Sequence, residues 1–303
     1  MSCVRFCLLP ILSGSIFLLT GALSSPSSPS LSPAPPAPAD PAAAQMLDRA
    51  LERLAGQRLD WVEMNLWQQV NVQELCYQAE GRYLAGPDHR FRLDLHTHVG
   101  STDGRLQVVS DGATLWQSRR IGAGPASVSK IDLKEVLAIL NRPGTPPQLR
   151  DEFFHSQFQL GILPLLRGLR QQVTWSKKET VRRNGRVLLK LSGAWSADPT
   201  HANALLAAPW PAGLPRQGRL YLDPQTLWPH RVEWWGPDPP QAEDAPLVQM
   251  EFRDPVLNRP LSPERCAVEF TLSDGPAGAI DQTREAITRL QIRAQELTRK
   301  SVP

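Results

Sequence analysis

From residue 60 to residue 119 apolar and polar positions alternate with a period of two. The clearest run is Arg90–Val99, where Phe91, Leu93, Leu95, Thr97 and Val99 alternate with Arg90, Arg92, Asp94, His96 and His98. Strict alternation describes a strand with one buried and one wet face, the habit of antiparallel sheets. Residues 60–70, 75–84, 105–110 and 114–119 carry the same strand character, and Asp111-Gly112 marks a tight hairpin between the last two. Strands are predicted again at 171–175, 179–183, 186–191, 219–222, 229–235, 247–252 and 266–272. Asn184-Gly185 and Asp223-Pro224 supply turns among them.

Helical spacing replaces this pattern in four places. Met46, Leu47, Ala50, Leu51 and Leu54 predict a short opening helix that Gly56 stops. Asp132, with Glu135 three residues on, caps a helix carrying Val136, Leu137, Ile139 and Leu140. Residues 149–158 and 162–169 extend that helical block, with Pro164 near the start of the second helix. At the end of the chain Ile280, Thr283, Ile287, Leu290, Ala294 and Leu297 fall three and four apart, with charged residues between them, and Asp281 suits the start. About ten strands interrupted by a helical block is a sheet-dominated α+β pattern. By parity, Phe91, Leu93, Leu95, Val108, Trp116, Val232, Trp234, Met250, Phe252, Val268 and Phe270 should share one apolar face. That face needs a cover, and the helices between Leu133 and Leu169 are its candidates, with Leu137, Leu140, Leu165 and Leu166 turned toward it.

The start of the chain is of another kind. Arg5, an apolar run from Phe6 to Leu19 and small residues at Thr20–Ser24 form a secretory signal pattern over 1–24. The run is short and interrupted for a membrane span, which needs about 20 apolar residues; an uncleaved anchor is the alternative. Residues 25–44 are mostly Ser, Pro and Ala and read as an extended linker. A domain over 45–279 and an amphipathic helix over 280–303 complete the division.

Net charge is +3 and the basic residues are scattered, which argues against a nucleic-acid partner. Two cysteines follow the signal region, Cys76 and Cys266. Strand parity places them on polar and apolar faces respectively, so no disulfide is expected. No nucleophile elbow, phosphate loop or cofactor motif stands out. His96, His98 and Asp94 share one strand face but lack the further ligands of a metal site, so a solvated face is the reading. Asp151, Glu152 and His155 read as a solvated helix face. The nine tryptophans against three tyrosines fit core packing or the lining of an apolar pocket.

Val108-Val109-Ser110-Asp111-Gly112-Ala113-Thr114-Leu115-Trp116 resembles the hairpin of LolA-type lipoprotein carriers. Gly86–Leu95, Val268–Leu272 and Gly278–Asp281 resemble that family's neighbouring segments in order and pattern. The resemblance implies an unclosed antiparallel half-barrel with a helical lid over a cavity for acyl chains. It also implies a departure: the carriers have an arginine, important for handing over cargo, where this chain has Gly86 before Pro87. The expected function is thus an exported, non-enzymatic carrier of lipid or lipoprotein acyl chains. The site is expected at the shared face plus Leu165 and Leu166, with no cofactor or metal, and an envelope membrane protein is a further partner. A membrane-anchored extracytoplasmic sensor of the same fold and an unrecognised hydrolase are the alternatives.

Overall fold

The computed structural model describes residues 40–56, 59–72, 75–146, 149, 153, 161–195, 215–236, 245–272 and 278–300. The signal pattern and most of the linker lie outside them. One twelve-stranded sheet dominates, in the order β12-β6-β5-β4-β3-β2-β1-β11-β10-β9-β8-β7. Its strands are β1 (Val62–Val72), β2 (Leu75–Ala85), β3 (Arg90–Val99), β4 (Thr102–Asp111), β5 (Thr114–Ile121), β6 (Ser127–Asp132), β7 (Val173–Arg183), β8 (Arg186–Trp195), β9 (Gln217–Leu222), β10 (Pro229–Trp235), β11 (Val248–Leu257) and β12 (Ile280–Asp281). All neighbours are antiparallel except β12 and β6. The two outermost strands, β12 and β7, do not pair, so the sheet is open. The sheet-dominated α+β class is the one expected from the pattern of residues, and the unclosed sheet is the one that the family resemblance implies.

Turn chemistry sets the registers. Asp111 Oδ1 accepts from the Ala113 and Thr114 amides at 2.7 Å each, and Gly112 has φ +93°. A Cβ there would sit 2.5 Å from the Asp88 carbonyl oxygen, so only glycine fits. Asn184 and Gly185, both at positive φ, close the β7–β8 hairpin. Asp223 Oδ1 accepts from the Gln225 and Thr226 amides before β10.

Among the described residues, five helices are complete: α1 (Pro41–Gly56), α2 (Leu133–Leu140), α3 (Ile162–Gln172), α4 (Pro263–Glu269) and α5 (Thr283–Lys300). Helix α1 starts within the Pro/Ala-rich stretch. Pro41 stands at its first turn, Asp40 accepts from the Ala42 and Ala43 amides, and the alanines that follow favour helix. Asp132 caps α2 through the Lys134 and Glu135 amides. Helices α1 and α3 pack together on β7, and α2 and α5 pack together on β5 and β6. One core joins the inner-face residues of β1–β11 to α1, α2, α3 and α5. A single core reaching from β4 to β7 requires the sheet to curl, which the right-handed twist of strands supplies.

The chain returns over the outer face. Helix α4 lies there, where Arg82 bridges Glu63 at 2.8 Å and Glu269 at 3.0 Å, and Arg92 donates to the Glu269 and Thr271 carbonyls. Leu272 then tucks beside Val109, Trp116 and Val128, and β12 leads into α5. The Thr283 hydroxyl accepts from the Asp132 amide at 2.8 Å and Asp281 accepts from the Thr283 amide, joining α5 to the sheet. Ala286 and Leu290 enter the core, so α5 packs on its own domain, while Ile292 faces outward.

Two expectations are corrected. Residues 266–272 are not a strand: Ser262 accepts from the Arg265 amide with Pro263 next to it, and this cap starts α4. Cys266 is therefore helical, and the parity argument does not apply to it; both cysteines are nonetheless free. The separate strands expected at 171–175 and 179–183 are one strand, β7, whose register shifts between Trp175 and Lys177.

The three tyrosines of the chain, Tyr77, Tyr83 and Tyr221, give a pH prediction. Burial pushes Tyr77 up to about 12 and raises Tyr83 as well. Burial, with Glu233 alongside, pushes Tyr221 up to about 12. A raised phenol stabilises the fold fully below the ordinary value near 10, and that contribution is lost as pH rises through the folded value. Absorbance at 295 nm should show no step near pH 10, and tyrosinate should form with unfolding near pH 12. A separate step near pH 10 with the fold intact contradicts this burial.

Candidate functional site

The register brings distant residues into rows on the inner face. Met64, Tyr83, Leu93 and Val108 form one row, and Leu66, Gly81, Leu95 and Leu106 the next. Across β11 and β10 the rows continue as Leu66–Phe252, as Gln68–Met250–Val232–Leu220–Leu191, and as Val70–Val248–Trp234–Gly218–Gly193–Trp175. Phe91, Leu93, Leu95, Val108, Val232, Trp234, Met250 and Phe252 all lie on this face, each buried in the common core. Leu166 joins them from α3, fully buried, and Leu165 packs at the edge. Leu140 is buried from α2 and Leu137 partly so. Of residues 149–158, Leu149 and Phe153 are described, and both are buried in the same core; Asp151, Glu152 and His155 lie outside the described residues.

Three residues expected on this face are elsewhere. Trp116 pairs with Val109, opposite Arg92, while Leu115 pairs with Ser110, opposite Phe91. Adjacent apolar residues leave parity ambiguous, and the Asp111-Gly112 turn turns Leu115 inward and Trp116 outward. Phe270 follows α4 on the outer side, 6.3 Å from the Trp61 ring, and Val268 is 74% exposed. Gly86, where the carrier family has its arginine, lies against Trp61; a Cβ would meet that ring at 2.8 Å.

Several inner-face residues escaped the sequence reading. Gln68 interrupts the apolar series Val62, Met64, Leu66 and Val70, a lone polar residue at a core parity and hence a visible signal. Trp195 lies at the end of β8, beyond the strand the pattern predicted, with its ring 6.3 Å from that of Trp234. The Gln68 Nε2 and the indole nitrogens of Trp175, Trp195, Trp228 and Trp234 are buried and have no hydrogen-bond partner among the described residues. Each such group costs about 1–3 kcal/mol of desolvation. By contrast, the outer-face Trp235 indole donates to Glu233 at 3.1 Å.

Beside the small apolar cluster of Val109, Val128 and Leu272, the outer face carries charged clusters. Glu233, 1% exposed, is surrounded by Arg183, Arg219 and Arg231, and accepts from the Tyr221 hydroxyl at 2.9 Å. A groove of about 360 Å³ lies between His96, Asp103, Arg105 and Arg120. His98 pairs with Asp103 at 2.8 Å on the same face. Among the described residues no three His, Cys, Asp or Glu side chains converge to hold a metal ion.

No family model and no curated protein matches this chain. Solved structures do. The chain is similar to MucB, with a TM-score of 0.37 and 14% identity over 78% of this chain. It spans 64% of the MucB chain, just under two thirds. It is similar to LprF from Mycobacterium bovis, with a TM-score of 0.40 and 14% identity over 74% of this chain and 96% of that one. A LolA superfamily protein from Nitrosomonas europaea aligns at a TM-score of 0.23 and 11% identity, over 76% of this chain and 97% of that one. At such identities the likeness is one of fold.

Proposed function

We propose that this chain is an exported, non-enzymatic protein that holds lipid or lipoprotein acyl chains between its inner sheet face and its helices. One observation carries the reading. A continuous apolar face runs across the open sheet, and its cover is two separate helical pairs, α1 with α3 and α2 with α5, docked toward opposite ends of the strand order. Such a cover can part without breaking ladder hydrogen bonds, as loops and lids over ligand sites do. An acyl chain gains about 0.8 kcal/mol per buried methylene, against roughly 1.5–3 kcal/mol for each fully buried leucine of the cover. A chain of ordinary length therefore supplies enough to displace a few such leucines.

The signal pattern over residues 1–24 supports export to an extracytoplasmic space, where a lipoprotein or an envelope membrane protein would be the partner. No helix among the described residues is long and apolar enough to cross a membrane. With Gly86 in place of the family arginine, the reading covers holding the acyl chain rather than any particular hand-over step.

Native mass spectrometry of protein recovered from the cell envelope under mild conditions tests this. The expected spectrum contains a mass excess that extracts into organic solvent as acyl lipid. Protein that carries no lipid, and takes up none from mixed acyl-lipid vesicles, rules the reading out.

A further inference from the structure

We propose that the groove on the outer face binds a phosphate monoester, held by Arg105 and Arg120 with His96 beside them. The groove lies on the opposite side of the sheet from the apolar face, so this inference is independent of acyl-chain binding.

The register assembles the groove. His96, Arg105 and Arg120 are direct partners on β3, β4 and β5. Partners on adjacent antiparallel strands stand about 4.5–5.5 Å apart, so the three basic side chains leave one face as a row. All three line the same groove of about 360 Å³, and Gly122, Ala123 and Gly124 of the β5–β6 turn line it as well. The Gly122 amide donates to the Asp103 carbonyl at 2.6 Å, which ties the turn to β4. No side chain on the turn extends beyond a methyl group, and a Cβ at Gly122 would meet nothing within 4 Å. The space over the row is therefore open to a ligand.

The charges of this row are under-compensated. Arg120 is exposed and makes no ion pair among the described residues. Arg105 stands 3.9 Å from Asp94, which Arg92 and Gln107 already hold at 2.5 Å each. The Arg105 Nε is buried with no partner among the described residues, so its charge is left to the outer nitrogens of the guanidinium. Glu80 continues the row beyond His96 but does not line the groove. Guanidinium forks match the oxygens of a phosphate. Asp103, the carboxylate among the lining residues, narrows the class of anion further; it pairs with His98 at 2.8 Å. A carboxylate repels an anion that has acceptor oxygens alone, as a sulfate ester or a phosphodiester has. It accepts a hydrogen bond from one that keeps a proton, and a phosphate monoester keeps one up to a second ionisation near about pH 6.

Methyl phosphate and methyl sulfate, titrated near about pH 6 where the phosphate keeps its proton in half of the molecules, test this on the full mature protein. Methyl phosphate should bind more tightly and should move the His96 imidazole and the Gly122 and Gly124 amide resonances. Arg120→Gln should weaken it about twofold to fivefold, the range for an exposed ion pair. Asp103→Asn should raise the affinity for methyl sulfate and bring the two probes within about twofold, an effect that a merely structural role would not produce. Both side chains are exposed, so unchanged thermal melting of the variants is expected. Phosphatidylcholine vesicles carrying either phosphatidic acid, a monoester, or phosphatidylglycerol, a diester, then locate the source. A preference for phosphatidic acid that Arg120→Gln removes identifies a lipid headgroup, and the lack of one identifies a soluble monoester. Absent binding of methyl phosphate, equal affinity for methyl phosphate and methyl sulfate in the unmodified protein, or binding that Arg120→Gln leaves unchanged overturns the inference and leaves acyl-chain binding standing.

Discussion

Replacing Glu233 by alanine is expected to destabilise the fold by about 3–5 kcal/mol, the cost of breaking a buried charge cluster from one side. Glu233 is 1% exposed. Its carboxylate lies 2.5 Å from Arg231, 3.1 Å from Arg183 and 3.8 Å from Arg219, and takes hydrogen bonds from Tyr221 and Trp235. Without it three guanidiniums from β7, β9 and β10 face one another. Arg231 keeps Glu251 at 2.9 Å, but its side chain is only 11% exposed and cannot turn to water. Arg183, at 39% exposure, can escape, which limits the loss. Glu233→Gln keeps the shape and part of the hydrogen bonding and should cost less. Urea denaturation of both variants, by fluorescence and circular dichroism, checks the order. An alanine variant as stable as the parent would show that the arginines are solvated and the cluster contributes nothing.

That cluster shows how far residue patterns reach. Alternation reads Glu233 as polar between Val232 and Trp234, and polar residues in strands are ordinarily wet. Its burial depends on arginines that arrive from β7 and β9, whose side chains become neighbours only through the register. The strands with strict alternation, β3 above all, were legible because one face is core and the other is charged. Strand β6 was not, since it has only Val128 and Ile131 as apolar residues and leads directly into α2. Helix α4 was misread because Val268, Phe270 and Leu272 alternate, while the stronger local signal, Ser262-Pro263 at a helix start, went unused.

The candidate site divides in the same way. Parity alone placed Phe91, Leu93, Leu95, Val108, Val232, Trp234, Met250 and Phe252 on one face, because period-two geometry leaves a half-buried strand no other choice. It failed at Trp116, where two adjacent apolar residues compete and the turn decides between them. The unpaired donors of Gln68 and the tryptophans were beyond reach. A side chain's missing partner depends on what surrounds it in space, and β1, β7, β8 and β10 meet only through a sheet assembled from both ends of the chain.

Truncating Leu191 to alanine should cost more than truncating Leu166, although both are fully buried in one core. Each change removes the same atoms, and Leu→Ala in a core costs about 2–5 kcal/mol, depending on how far the surroundings close the cavity. Leu191 lies in β8, with β7 and β9 bonded on either side, and the ladder cannot move inward without breaking its register. Its loss belongs at the upper end of that range. Leu166 lies on α3, which rests on α1 and β7 and can settle by a small rigid shift. Its loss belongs at the lower end. The same freedom is what a cover needs if acyl chains are to pass beneath it, so the ranking bears on function as well as stability. Denaturant midpoints give the two costs, and hydrogen exchange of the α3 amides gives the freedom directly: Leu166→Ala should speed their exchange while leaving β8 protected. A larger cost at Leu166, with β8 and α3 losing protection together, would mean that α3 is as firmly fixed as the sheet. The helical pairs would then be a closed half of the core, and a ligand would need another way in.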